Sequence, residues 1–205
     1  MGATAQRPTR RTQQQRVDAA RRAIVDATLA ALAGRGYQAT TFASVAAASG
    51  LSRGGLLHHF LNKTELVAGV LAQAVAERLA EFDAQLATLK PGPNRLADAL
   101  DMLYEVFHSV VFHAAVATHA GARHDQALMD RIIPIFDATD VHIASRAEAM
   151  FGAKVAAAPD IDMKVRFAVI ALRGAALVEA VGDIRRDSRT WNYVRQRIIE
   201  DLNRS

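Results

Sequence analysis

The chain contains no cysteine. That excludes disulfides, thiolate metal sites and a cysteine nucleophile, and it fits a reducing cytosol. Aromatic residues make up 6% of the sequence, and five prolines are spread over 205 residues. Alternation of apolar and polar residues at period two is nearly absent, which argues against a sheet-built core. The apolar run at residues 167–182 is interrupted by Arg173 and Glu179, so no segment reads as a membrane span. The first residues are polar and basic, unlike a secretory leader, and a cytoplasmic protein is expected. There is no His-Glu-x-x-His run, no glycine-rich phosphate loop and no Gly-x-Ser-x-Gly elbow. His108 and His113 are five apart, as are His119 and His124. Neither pair has the four-residue spacing that puts two metal ligands on one helical face. The expectation is a protein that is not an enzyme and that uses no metal and no cofactor.

What the sequence does have is alanine and helical periodicity. Apolar residues account for 51% of the chain, enough for a substantial core. The reading is all-α, with about nine helices. The net charge of +4 conceals a division. Residues 1–63 carry nine Arg or Lys against Asp18 and Asp26, a net +7, and the remainder is mildly acidic. A basic first third on an acidic body implies a head that meets a polyanion. Residues 1–11, with Pro8 and Thr/Gln-rich composition, read as a disordered basic arm.

Val17, Ala20, Ile24, Ala27 and Ala31 recur at helical spacing, predicting a first helix over 12–33 that stops at Gly34 and Gly36. Thr40 or Thr41 caps a short second helix through Ala48. Ser49-Gly50 is a turn, with Gly50 suited to the left-handed conformation that closes a helix. Ser52 caps a third helix from Arg53 to His58 or His59. Asn62, with Glu65 three residues on, caps a fourth that ends before Lys90-Pro91-Gly92-Pro93. Beyond it, Leu96, Leu100, Leu103, Phe107, Val110 and Ala114 form one apolar stripe, ending near residues 119–121. A helix over 125–151 is expected to kink at Pro134. Residues 152–159 read as a loop, and two further helices cover 160–182 and 188–202.

The second and third helices and their turn form a helix-turn-helix unit, with Val45, Ala46, Leu51 and Leu56 as its packing residues. Such a pair is also a common structural hairpin; the basic first third favours nucleic acid. Gly54 and Gly55 start the third helix although glycine costs about 0.8–1.0 kcal/mol against alanine in a helix interior. Two readings explain them. They let the backbone of a recognition helix approach DNA, or they let two helices pack tightly. Arg53 is the candidate base reader, since arginine pairs bidentately with guanine. His58 and His59 can donate to phosphate, with one ring expected to pack between helices. Lys63 is the candidate phosphate contact at the start of the fourth helix.

The segments "RRAIVDATLAALAGRGY" and "ATTFASVAAASGLSRGGLLHHFLNKTELVAGVL" resemble the DNA-binding domain of TetR/AcrR-type transcriptional regulators. The likeness covers about residues 16–72. Its signature positions are Gly36-Tyr37, Thr40-Thr41, Val45-Ala46, Gly50-Leu51-Ser52, Leu56, His59-Phe60, Lys63 and Leu66. The resemblance implies a homodimer that binds operator DNA through a head over residues 12–62. It also implies an effector-binding and dimerisation domain over 63–205. It maps DNA contacts onto Thr41, Ala43, Ser52, Arg53, Gly54, Gly55, Leu57, His58, His59 and Lys63. Two departures stand out. Leu57 replaces the family's usual tyrosine and loses a phosphate-contacting hydroxyl, and Ala43 cannot bond a base. Arg53, His58 or the basic arm must then supply more of the affinity.

In the second domain the resemblance implies an effector cavity. Leu103, Phe107, Val111, Met129, Ile133 and Phe136 are its candidate apolar walls, and His108, His113 and Arg123 its polar groups. Taken one by one, the same apolar residues read rather as ordinary core, and only the resemblance puts a cavity there. The expected effector is a small, largely hydrophobic molecule with an acidic or hydroxyl group. Met163, Phe167, Ile170, Gly174, Val178 and Val181 form a stripe at spacings of three and four, matched by Trp191, Val194, Ile198 and Leu202. Both stripes suit a four-helix dimer interface.

Overall fold

The computed structural model describes residues 13–181 and 188–204. The expected basic arm at 1–11 lies outside them, as does the side chain of Val181. The described residues form eleven helices and no strand: α1 (Gln13–Ala39), α2 (Phe42–Ser49), α3 (Arg53–His59), α4 (Lys63–Leu86), α5 (Arg95–Phe107), α6 (Val110–Gly121), α7 (Gln126–Ala144), α8 (Ala147–Phe151), α9 (Ala153–Ala156), α10 (Ile161–Val181) and α11 (Ser188–Leu202). Three places account for the difference from the eight helices located along the sequence. The stripe from Leu96 to Ala114 divides at His108-Ser109, where Ser109 caps α6 by accepting from the Phe112 amide at 3.3 Å. The two axes differ by 51°. An apolar stripe continues across such a corner because both helices bury the same face, so periodicity alone does not reveal it. The helix over 125–151 continues through Pro134 and breaks instead at Ser145-Arg146. The loop after Gly152 contains the short α9.

The Ser145-Arg146 break has an electrostatic anchor. Arg146 donates from Nε and Nη2 to the two oxygens of Asp83 on α4, both at 2.9 Å, and His142 meets the same carboxylate at 3.1 Å. The Arg146 hydrogen bond, more than that of His142, holds the Asp83 carboxyl below its ordinary range despite partial burial.

α1 does not stop at Gly34. It runs to Ala39 with a kink at Gly36, whose φ of 76° lies in the left-handed region that favours glycine. The kink turns Tyr37 inward, where it is 6% exposed.

Two hydrophobic cores result. The first joins Ile24 and Leu32 of α1, Val45 of α2 and Leu56 of α3 to Leu66 and Leu71 of α4, and then to Leu128 and Ile132 of α7. The second gathers Phe82 of α4, Leu100, Tyr104 and Phe107 of α5, Leu172 of α10 and Ile198 of α11. α4 therefore threads both cores, and the apolar packing does not part at the expected boundary near residue 62.

α6 closes against α1 at Gly121. A Cβ there would lie 3.1 Å from the Cβ of Tyr37, whereas nothing lies within 4 Å of one at Gly34. Gly121→Val is therefore expected to lower stability by about 1–3 kcal/mol through overpacking. Gly34→Ala is expected to raise it by up to about 1 kcal/mol through helix propensity. Urea unfolding midpoints of the two variants should move in opposite directions.

Candidate nucleic-acid interface and apolar cavity

The helix-turn-helix is built by local hydrogen bonding. Thr41 caps α2 by accepting from the Ser44 amide at 3.1 Å, and Ser44 Oγ accepts from the Thr41 amide at 3.0 Å. This is a reciprocal capping box with serine in the usual Glu/Gln position. Gly50 ends α2 at φ 70°. Ser52 caps α3 by accepting from the Gly55 amide at 3.0 Å. Asn62 caps α4, and Glu65 reaches back to the Leu61 amide rather than to that of Asn62. Val45 and Leu56 are fully buried between the helices, which sets the angle at which α3 is presented.

The outward face carries Thr41 and Ala43 of α2 and Ser52, Arg53, Gly54, Leu57, His58 and His59 around α3, all exposed. Gly55 is half-buried. Added Cβ atoms at Gly54 and Gly55 would meet only the Ser52 hydroxyl, at 4.0 and 3.3 Å, and no other helix. Tight helix packing therefore does not explain the glycines. Neither histidine packs between helices as expected for one of them: both are exposed, in edge contact with ring centres 5.9 Å apart.

Lys63 departs from expectation. Its ammonium is turned inward, donating to the Tyr37 carbonyl at 2.6 Å and lying 3.8 Å from the centre of the Tyr37 ring. Burial pushes its pKa down, against the pull of Asp125. Tyr37 Oη donates to Asp125 Oδ2 at 2.7 Å, and Asp125 Oδ1 caps α7 by accepting from the Leu128 amide at 3.1 Å. Gln38 donates to the Gly121 carbonyl at 3.0 Å. Lys63 thus ties the end of α1 to the start of α4, which makes it a positioning residue for α3. The expectation missed this because an exposed phosphate contact and an internal tie look alike in sequence.

In the body, α4, α5, α6, α7 and α10 line a partly open cavity of about 460 Å³. Phe107, Val111 and Phe136 line it as expected. Leu103 and Met129 are core residues, and Ile133 is 41% exposed and outside the lining. The expected polar groups are also displaced. His108 bonds the Tyr104 carbonyl at 2.8 Å, Arg123 is exposed and donates to His124, and His113 is half-buried away from the lining. Burial, and secondarily His108, pushes the His113 pKa down. The polar lining comes instead from Arg78, Ser109, His119, Thr139 and Arg173. Arg78 sits in the middle of α4 and Arg173 in the middle of α10, both on helix faces otherwise read as apolar.

The α10 stripe is open. Met163, Phe167, Ile170 and Val178 are 66, 49, 60 and 54% exposed, and Gly174 is exposed with nothing near its Cβ position. The α11 stripe instead turns inward. Ile198 and Leu202 are buried, and Trp191 stacks on Tyr104 at 4.1 Å and donates to Asp101 at 2.8 Å. Val194 packs on the same core. α11's exposed aromatic is Tyr193.

The described residues combine a helix-turn-helix head with a helical body that holds an apolar cavity. Residues 24–70 match the family model of bacterial regulatory proteins, tetR family. That match runs from within α1 to the start of α4. The chain is 32% identical over 125 residues to the HTH-type transcriptional regulator CymR of Pseudomonas putida, a match spanning 61% of this chain and 62% of that protein. Among solved structures, it is similar to a Saccharomonospora viridis protein assigned as a transcriptional regulator, in complex with choline. That pair has a TM-score of 0.69 and 17% identity, covering 90% of this chain and 96% of that one. It is also similar to the transcriptional regulator FadR of Bacillus subtilis in complex with stearoyl-CoA. There the TM-score is 0.61 and the identity 13%, covering 89% and 97%.

The Tyr37 junction makes a pH prediction. Burial, then the bond to Asp125, raises the phenol from 10.0 to about 12. A raised pKa favours the protonated form in the folded state. Its stabilisation is complete below the unfolded value and is lost as pH rises towards about 12. Tyr37→Phe should cost about 0.5–1.5 kcal/mol at neutral pH. The difference between wild type and variant should hold steady to about pH 10 and shrink above it. Denaturant unfolding across that range measures it, and a difference that persists undiminished at pH 12 contradicts the assignment.

Proposed function

We propose that the protein is a ligand-responsive transcriptional repressor. It binds palindromic operator DNA as a dimer and is released by a small, largely hydrophobic effector. The observation that carries the reading is the pairing of two features. One is the exposed Arg53-Gly54-Gly55 face with its two histidines. The other is the apolar cavity, whose walls run directly into the elements that hold that face. DNA binding also sets its place of action in the cytoplasm.

α6 lines the cavity with Val111, Phe112, Ala115, Val116, His119 and Ala120, and its end abuts Tyr37. α4 lines it with Val75, Arg78 and Leu79 and begins at Lys63. A ligand that favours one setting of α4 and α6 thereby favours one setting of α3. This extends the expected route through α4 alone. Linkage requires effector and operator to weaken each other by the same factor, typically about 5–150-fold. A DNA binder without an effector would not need the cavity. Similar folds hold ligands as unlike as choline and stearoyl-CoA, so the fold does not choose the ligand.

The dimer reading rests on α10. Its exposed apolar stripe is what a second copy would cover, and a two-fold pair of heads matches a palindromic site. Because the α11 stripe is core, the outer face of α11 around Tyr193 would join α10 in place of Trp191, Val194, Ile198 and Leu202.

Two experiments test the proposal. Selection from randomised duplexes should enrich a palindrome. On it, Arg53→Ala should cost about 1–3 kcal/mol and relax preference at one base position. Equal affinity for selected and random duplexes contradicts DNA readout. Ile170→Glu should convert a dimer to a folded monomer in sedimentation and abolish operator binding. A wild-type monomer at micromolar concentration contradicts the interface.

A further inference from the structure

The cavity lining is apolar except at five side chains, and the two that carry a fixed charge, Arg78 and Arg173, are both arginines. Among the described residues, no Asp or Glu lines it. Each arginine is compensated from outside. Arg78 Nη1 pairs with Glu81 at 3.1 Å, and Arg173 donates through both terminal nitrogens to Asp140. Glu81 and Asp140 are 64 and 51% exposed, so water screens their charge, while the arginines are only 18 and 28% exposed. In both arginines the Nε–H is buried and has no hydrogen-bond partner. The Arg173 guanidinium lies 5.2 Å from the centre of the Phe107 ring, another wall of the cavity.

We infer that the cavity selects an amphipathic acid: an apolar body among Val75, Phe107, Phe112 and Phe136, and an anionic head received by Arg78 and Arg173. This rests on reading the cavity as the effector site. An arginine has five N–H donors, more than the single carboxylate beside each of these takes up, and an acceptor on the ligand can meet a remaining one. A carboxylate does so with charge-assisted bonds, roughly twice as strong as neutral ones. A cationic ligand would face two positive groups without a lining carboxylate to receive it. A plain hydrocarbon would leave both donors unpaired. The cavity volume falls within the roughly 300–1,000 Å³ of small-molecule sites.

The test uses three probes with one tail: decanoate, decanol and decyltrimethylammonium, each titrated calorimetrically into the full chain at pH 7.5. Decanoate should bind at least about tenfold more tightly than decanol, and the cation more weakly than either. Arg173→Gln and Arg78→Gln should each reduce the preference for acid over alcohol to about threefold or less. Arg173→Lys and Arg78→Lys, which keep the charge, serve where a glutamine variant does not fold, and each should retain part of the preference. Equal binding of acid and alcohol, a preference for the cation, or no binding by any of the three overturns the proposal. So does an acid preference that survives in both glutamine variants. Operator affinity is measured in parallel. Acid-selective binding that leaves operator affinity unchanged keeps the acid site and removes the effector reading. A probe that lowers operator affinity without acid selectivity removes the acid site and keeps the effector reading.

Discussion

One residue, Tyr37, makes four contacts with three other parts of the chain. Its carbonyl receives Lys63 from α4, its ring lies under the same ammonium, its hydroxyl is held by Asp125 at the cap of α7, and its Cβ touches the end of α6. The left-handed Gly36 just before it is what turns it inward. The partners are diverse in kind: a charge-assisted bond, a cation–π contact, a neutral donor on a carboxylate and close backbone packing. They constrain different directions of motion. Head and body are therefore tied by a partly buried polar junction in addition to the apolar core they share.

The same junction accounts for the way the cores are shared. Leu66 to Ala74 of α4 pack with the head, and Phe82 and Leu86 of the same helix pack with α5 and α10. A rigid helix that contributes to two cores carries displacement from one to the other. Between the cores, Val75, Arg78 and Leu79 face the cavity. The cavity therefore lies where α4 passes from one core to the other, and occupancy there acts on the helix midway along its length.

The polar lining of the cavity also bears on how arginine is used. Arg146 spends its guanidinium on Asp83 and fixes the break between α7 and α8. Arg78 and Arg173 use terminal nitrogens on carboxylates and leave Nε buried and unpaired. Residues of identical chemistry thus differ in role according to which nitrogen is left without an acceptor.

Features governed by neighbours in the chain were legible without any structure. The all-α class followed from period 3.6 apolar spacing. The caps at Thr41, Ser52 and Asn62 and the left-handed Gly50 followed from side chains that bond backbone within three or four residues. The exposed α3 face followed too, because its small and basic residues stood apart from the surrounding alanine. Other features depend on what lies across the fold. Whether Lys63 meets a phosphate or the carbonyl of Tyr37 is decided by the kink at Gly36. Whether Leu103 lines a cavity or a core is decided by the 51° turn between α5 and α6. Whether Ile198 faces a second copy or Leu100 is decided by how α11 docks on α5. Arg78 and Arg173 were passed over because they are more than ninety residues apart and come together only when α4 and α10 enclose the same space. Periodicity specifies which face of a helix is apolar. What that face meets depends on the distances and angles between helices, and those are properties of the packed molecule.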